Sequence, residues 1–557
     1  MPGLSRVFPA VGFRYNWRWM ADNQESPGGL WKDKHLWALL LTGGFILLLT
    51  VWYGFGMDQS FFSYGAFLFK HYGTLPYSGT WDHASPGIYI IHAAALYLFG
   101  ESIFALRLLD LIFQLGNIIM IYYLALRLSR ARTAGYLAGL SYSIYYFGLG
   151  VIDSAQREGF ALFFILLAVV WSLAWKDRVW LRAILCGLIL GFAFLVKTVM
   201  GAVWVIFFAW YLLEGFRQRP KRVWIELAAF CAALVIPTAL VAAVYEQAGA
   251  LTELYQANIW YNYAVYAKLK YPTRYMEPHF WSVVVPWHFL ADQPLVLLPG
   301  IFGVFYGLAG GSRERKLLAV LVSIMALSLA LYFFQDKYSR YHLIPFIGLL
   351  CVFCGWGLQK IGAAIGGAAS GLNAAILRKA FYALVALIFL FQYPQQISYS
   401  LDYAFRDPGR GYLEGMDFPA DKFIARTQYQ AARGIARILR PEDTVGFFGM
   451  YPLIPFLIKK PLPTRFCSIQ QMIYMPVNGQ ITLKQLEWRQ EYTEDMIKAR
   501  PRYFILADQD LGLPTDVPSN RFKDALVQDF PELNAFIAAH YTQVGNFGYT
   551  GLYRLND

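Results

Sequence analysis

The sequence predicts a polytopic α-helical membrane protein with a C-terminal α/β soluble domain. Three observations predict it. Of 557 residues, 57% are hydrophobic and 15% charged, where a soluble domain carries about 25% charged residues. Apolar runs near the ~20 residues that a helix needs to span the hydrocarbon recur along the first 397 residues and can be drawn as about eleven crossings. From about residue 398 onward Pro, Asp, Arg and Gln become frequent, and the membrane pattern stops.

The elements follow in order. Residues 1–35 hold Arg6, Arg14, Arg18, Lys32 and Lys34 without a cleavable signal pattern, and read as a cytoplasmic leader. Residues 36–397 form the membrane domain. Its first crossing, 36–55, exits into an external loop, 56–102, in which 88–99 is apolar but too short to span. The second crossing, about 104–126, ends at Arg127, Arg130 and Arg132. The third (134–149) returns outward to Asp153 and Glu158, and the fourth (160–175) comes back to Lys176 and Arg178. The fifth and sixth divide at Lys197 and end at the strongest basic loop, Arg217 to Arg222. The seventh, about 224–245, leads to an aromatic outer loop reaching residue 280. The eighth ends near Gly310, before Arg313, Arg315 and Lys316. The ninth leads out to Lys337–Arg340, the tenth returns, and the eleventh (about 381–397) exits again.

Lys and Arg thus collect on one side of the alternation, the positive-inside bias. This puts the N-terminus inside, in the plasma (inner) membrane, and the C-terminal domain on the external or periplasmic side. The net charge of +12 is absorbed by these loops, and no basic stripe on a soluble domain points to nucleic acid. Of five cysteines, four lie in apolar runs, Cys351 and Cys354 among them, where packing is the expected role; only Cys467 lies in the polar part, and no disulfide framework is implied. Residues 398–557 read as an α/β domain, with strands at 444–448 and 503–506 and helices at 423–439, 483–498 and 531–540. No phosphate-cradling Gly loop occurs in it.

The external segments share acids, bases and aromatics: Asp58, Asp82, His83, Asp153, Glu158, Lys197, His279, His288, Lys337, Arg340 and His342. Carboxylates where a membrane helix meets water are costly and tend to be functional. One of them can take a proton from a hydroxyl within hydrogen-bond reach, and cations can neutralise a phosphate leaving group. The set fits group transfer from a lipid phosphate held at the membrane surface.

The order of the elements is more specific. Asp58, an amphipathic helix, the turn Trp81-Asp82-His83-Ala84-Ser85-Pro86-Gly87 and a surface helix ending at Phe99-Gly100 resemble the first external loop of GT-C membrane glycosyltransferases. The likeness is to the protein-O-mannosyltransferase-like branch that includes the aminoarabinose transferase acting on lipid A. It extends to Arg107, to Gln156-Arg157-Glu158, to Phe194-Leu195-Val196-Lys197 and to Lys337 through Pro345. The resemblance implies a glycosyltransferase of inverting type that uses a polyprenyl-phosphate sugar donor. The acceptor would be a lipid, glycan or protein, with membrane lipids as surroundings and no nucleic acid. It implies Asp58 as general base, Glu158 as a second acidic catalytic position, and His83, Lys197, Lys337, Arg340 and His342 around substrate and phosphate. It leaves a divalent metal ion open, with Asp82 and His279 as candidate ligands. Gln59 stands where the family has a second acid, and Ala84-Ser85 where it has Lys-Pro or Pro.

Plainer readings stand beside these. Asp58 can cap a helix, Glu158 can pair with Arg157 or Lys197, Lys337 and Arg340 can anchor in headgroups, and Asp153 reads as a helix-end residue. His92 reads as a packed histidine, and Trp260 through Tyr275 as an interface belt. Two alternatives remain: a transporter or flippase of a lipid-linked or sugar substrate, and a GT-C oligosaccharide ligase. A transporter tends to place polar groups at the midplane between repeated halves; here the acids fall at helix ends and no halves repeat.

Overall fold

The protein is described by a computed structural model covering residues 32–175, 177–268, 293–335, 337, 339–367, 371–394, 396–398, 425–473, 480–508 and 522–556. Most of the leader, His279, His288 and the end of the aromatic outer loop lie outside the described residues.

Asp33 caps the first helix, α1 (Lys34–Leu48), by accepting from the His35 amide, and a 3₁₀ turn carries it to Trp52. The chain then runs through Gly56 and starts a new helix, α2 (Met57–Tyr72), so Asp58 sits in a first turn rather than at the end of the crossing. The loop 56–102 is completed by α3 (Pro86–Phe99). Pro86 opens α3, where a missing N–H costs nothing. Gly87 follows because a Cβ there would fall 2.6 Å from the Leu195 carbonyl; this close approach lays the start of α3 against the segment that ends at Lys197.

Nine more helices make the rest of the membrane domain: α4 (Ile103–Ser129), α5 (Arg132–Gly148), α6 (Arg157–Ala174), α7 (Val179–Val196), α8 (Val203–Gln218), α9 (Val223–Gln247), α10 (Pro294–Tyr306), α11 (Arg315–Gln335) and α12 (Ile344–Gly367). A last one, α13 (Gly371–Phe391), follows. Among the described residues, eight helices are long and apolar enough to cross a membrane. α5, α10 and α13 are shorter or less apolar and are not among these eight. The most enclosed is α12: 94% of its apolar window is buried, against α4, α5, α6, α10, α11 and α13. At the basic end, Arg127 meets Glu314 at 2.7 Å and joins two of the loops predicted to share a side. One boundary moves with consequence. Arg157 and Glu158, expected in a loop, are the first two residues of α6, where an acid complements the helix N-terminus.

The C-terminal domain comprises α14 (Ala425–Ala436), β1 (Val445–Phe448), α15 (Leu453–Ile458), α16 (Leu483–Ala499), β2 (Tyr503–Ala507), α17 (Phe522–Asp529), α18 (Pro531–His540), β3 (Tyr541–Phe547) and β4 (Thr550–Leu555), with a one-turn helix at Gln470–Ile473. The sheet order is β1-β2-β4-β3; β1 and β2 are parallel and the other pairs antiparallel. β3 and β4 were not expected from the sequence. They close through a two-residue turn that opens with Gly548 at φ 65°, a conformation that favours glycine.

This domain is seated on the 56–102 loop. The Trp81 amide donates to the Arg465 carbonyl at 2.7 Å, and Tyr64 Oη accepts from the Leu462 amide at 3.0 Å. The Trp81 ring lies 4.4 Å from Trp488 and 4.9 Å from Tyr261, and Phe55 stacks on Phe456. The apolar core therefore continues from one part into the other. Trp81 and Trp488 are fully buried, so Trp488→Ala empties the junction. A loss of about 3–5 kcal/mol is expected, read as a lowered Tm in detergent; an unchanged Tm would show that the domain is held elsewhere.

Candidate active site

Helix ends and two turns bring the predicted polar residues to one end of the bundle, beneath the C-terminal domain. The turn that precedes Asp58 is fixed from below by Arg107. Its guanidinium is fully buried and donates to the carbonyls of Tyr53, Gly54 and Val151 and to Ser154 Oγ. Tyr146 supports the same loop, donating to the Asp110 carboxylate while accepting from the Ala155 amide. Gln59 explains its own departure from the family pattern. Its Nε2 donates to the carbonyls of Ser154 (2.7 Å) and Ile152 (3.2 Å), bonds that a carboxylate cannot make. Gln59→Glu would restore the family's second acid but set an anion against two carbonyl oxygens. A loss of about 1–3 kcal/mol is expected, read by thermal unfolding; equal stability would refute the clamp.

Asp58 is half-buried. Burial pushes its carboxyl above the ordinary range; Asp82 and Glu158 act the same way, and Arg157 and His83 oppose. Asp82 is 5% exposed. Its Oδ2 accepts from Tyr89 Oη (3.0 Å) and the Ala84 amide (3.2 Å), and its Oδ1 lies 3.2 Å from His83 Nδ1. Burial pushes this carboxyl up as well, but the hydrogen bond and charge of His83, with Arg157, outweigh it and leave Asp82 below the usual range. Two carboxylates in one site are thus driven apart, a pattern that separates a proton acceptor from a permanent anion.

The basic side chains are placed by aromatic rings. His83 packs on Tyr266 at 4.3 Å, and Lys337 lies over the same ring at 4.6 Å while donating to the Tyr266 carbonyl. Arg157 lies over Phe62. Glu158 is fully buried, 2.6 Å from Lys197 Nζ and 3.5 Å from His342 Nε2. Arg340 lines a separate crevice with Tyr145, Gln293 and Tyr332. The site therefore holds Asp58, Asp82, His83, Arg157 and Lys337, with Glu158, Lys197 and His342 packed beside it.

Two readings change here. The Trp260 to Tyr266 stretch is no simple interface belt. Tyr263 is exposed, but Tyr261 and Tyr266 turn inward on Trp81 and His83. Arg157 and Tyr266 were not singled out as site residues; the signal for Arg157 was its place inside the Gln156-Arg157-Glu158 motif. His92 is packed as read, with its Nδ1 2.9 Å from Ser63 Oγ, and Asp153 ends a one-turn helix.

No group of three or more His, Cys, Asp or Glu is placed to hold a metal ion among the described residues. His279, one of the two candidate ligands, lies outside them.

Residues 82–241 match the family model of dolichyl-phosphate-mannose-protein mannosyltransferases. Among solved structures, the chain superposes on ArnT from Cupriavidus metallidurans bound to undecaprenyl phosphate. The TM-score is 0.54 and the identity 13%, over 94% of this chain and 97% of that one. It also matches the oligosaccharyltransferase of Archaeoglobus fulgidus tethered with an acceptor peptide, at TM-score 0.49 and 12% identity, over 95% of this chain and 75% of that one. No curated protein matches in sequence. The chain is a multi-pass membrane protein with the GT-C fold, as its first external loop suggested.

Proposed function

We propose that the protein moves a sugar from a polyprenyl-phosphate donor to an acceptor hydroxyl at the outer face of the plasma membrane. The observation that carries this reading is the convergence of Asp58 with Arg157, His83 and Lys337 beneath the C-terminal domain. Asp58 takes the proton of the acceptor hydroxyl as its oxygen attacks the anomeric carbon. The bond from that carbon to the phosphate oxygen breaks, and its electron pair leaves with the lipid phosphate. Attack opposite the leaving group inverts the anomeric centre. Arg157 and Lys337 receive the charge that grows on the phosphate, as preorganised cations do, and His83 stands beside them. Asp82, held ionised, keeps His83 oriented. Glu158, Lys197 and His342 position Arg157 rather than touch substrate. Support for a lipid-phosphate donor comes from the ligand of the superposed ArnT structure and from the dolichyl-phosphate-mannose family match. The polar groups stand at the end of the bundle rather than at its midplane, which favours transfer over transport.

The test is turnover. Purified protein in proteoliposomes is supplied with radiolabelled polyprenyl-phosphate sugars and with lipid, glycan and peptide acceptors. Label is expected to pass to one acceptor class with release of polyprenyl phosphate. Saturable movement of labelled lipid between leaflets without any transferred label would overturn the reading.

A further inference from the structure

At the far end of α2, a cleft of about 360 Å³ opens between the first turn of α4 and the C-terminal domain. Twelve residues of helix separate Asp58 from Lys70, roughly 18 Å at 1.5 Å per residue, so this cleft is not the candidate active site. One wall is Ile103 and Phe104, where a membrane-spanning helix begins; the other is Tyr429, Ala432 and Ala436 on α14, with Leu457. The cleft therefore lies at the level where hydrocarbon gives way to water, and its volume is that of a ligand pocket.

Its charge is unbalanced. Lys459 and Arg433 line it, and Lys70 stands behind. The single acid, Glu101, has its Oε1 2.9 Å from Lys70 Nζ and 2.5 Å from His71 Nε2. Lys459 caps α15 in the left-handed region, φ 56°, a conformation that glycine favours. From there its Nζ reaches the Glu101 carbonyl at 2.8 Å and lies 4.0 Å over the Phe456 ring. Burial pushes this ammonium down to about 8, Lys70 adding to the effect and Glu101 opposing it. The contacts of this ammonium among the described residues are a carbonyl and rings, with Glu101 the carboxylate that acts on it from further off. The Ala105 amide is capped by Ser102 Oγ at 3.3 Å, and the start of α4 presents the positive end of a 27-residue helix dipole to the same space.

We propose that this cleft binds an anionic amphiphile of the membrane, its headgroup on Lys459, Arg433 and the first turn of α4, and its chain along Ile103 and Phe104. Cations at a helix start select the anion; the apolar walls of Ile103, Phe104, Ala432, Ala436 and Leu457 select a lipid over a free ion. The site is independent of the transfer proposed above.

The probe is a phosphatidic acid carrying a diazirine in its acyl chain, crosslinked to the full-length protein in phosphatidylcholine nanodiscs. Crosslinks are expected on peptides holding 101–104 and 429–436. Lys459→Met combined with Arg433→Gln is expected to cut that labelling at least tenfold, and Lys459→Arg to keep it, which separates lost charge from lost fold. Asp58→Asn is expected to leave it unchanged, so failure of the transfer reading and failure of this one are told apart. Unlabelled phosphatidic acid should displace the probe, and millimolar inorganic phosphate should not. Equal labelling by a neutral diacylglycerol probe, persistence in the double variant, or displacement by inorganic phosphate alone would overturn the proposal.

Discussion

Asp58→Asn is expected to lower transfer by about 100- to 10,000-fold, the range that general base catalysis contributes, with the KM for donor nearly unchanged. Asparagine keeps the shape and cannot accept the proton. The fold should survive. The side chain lies in the first turn of α2, where an acid is worth only about 0.3–1 kcal/mol to the helix, and its burial opposes ionisation. The wild-type pH profile carries the same signature. Asp58 binds its proton more tightly than an ordinary carboxylate, so activity should fall with decreasing pH sooner than a model aspartate near 3.9 would allow. Steady-state rates across pH, with Asp58→Asn beside wild type, check both points. A variant that keeps more than a tenth of the activity would remove the base assignment.

Glu158→Ala is expected to be as damaging to stability as Trp488→Ala. The carboxylate is fully buried, 2.6 Å from Lys197, with Arg157 next to it in sequence. Its removal leaves a buried ammonium without its anion, and breaking such a pair from one side costs about 3–5 kcal/mol. Glu158→Gln should cost less, because the amide oxygen still accepts from Lys197. The two roles open to Glu158 give different results. A group in contact with the reacting atoms would, as Gln, keep its Tm and lose kcat. A positioning group would lose Tm and keep most of its kcat; in either case the acid limb moves to lower pH, since this charge is one of those that raise Asp58. Thermal unfolding and kcat of both variants distinguish the cases.

The membrane helices were legible because length and hydropathy act on one segment at a time. Lys197 between two apolar runs needed no partner to be read, and it stands where two helical segments meet. In the C-terminal domain, β1 and β2 were legible because every residue in each is buried. β3 was not, because Thr542, Gln543 and Val544 face outward on the edge of the sheet and read as loop. The candidate site was legible as an inventory and not as an arrangement. Gln59 looked like a missing acid until its carbonyl partners, more than ninety residues away, were seen. Tyr266 looked like belt because nothing local says that it will meet both His83 and Lys337. Arg157 went unselected because its role depends on α6 starting one turn earlier than hydropathy suggests.

The seam between Trp81 and Trp488 has a consequence for biogenesis. The loop bearing Asp82 is synthesised early, while the indole that braces it comes from the last fifth of the chain. At 5–20 residues per second the interval is roughly 20–80 s. During that time the membrane portion can insert while the seam beside Asp82 is still open, so the order of translation makes this junction the last part of the loop to close.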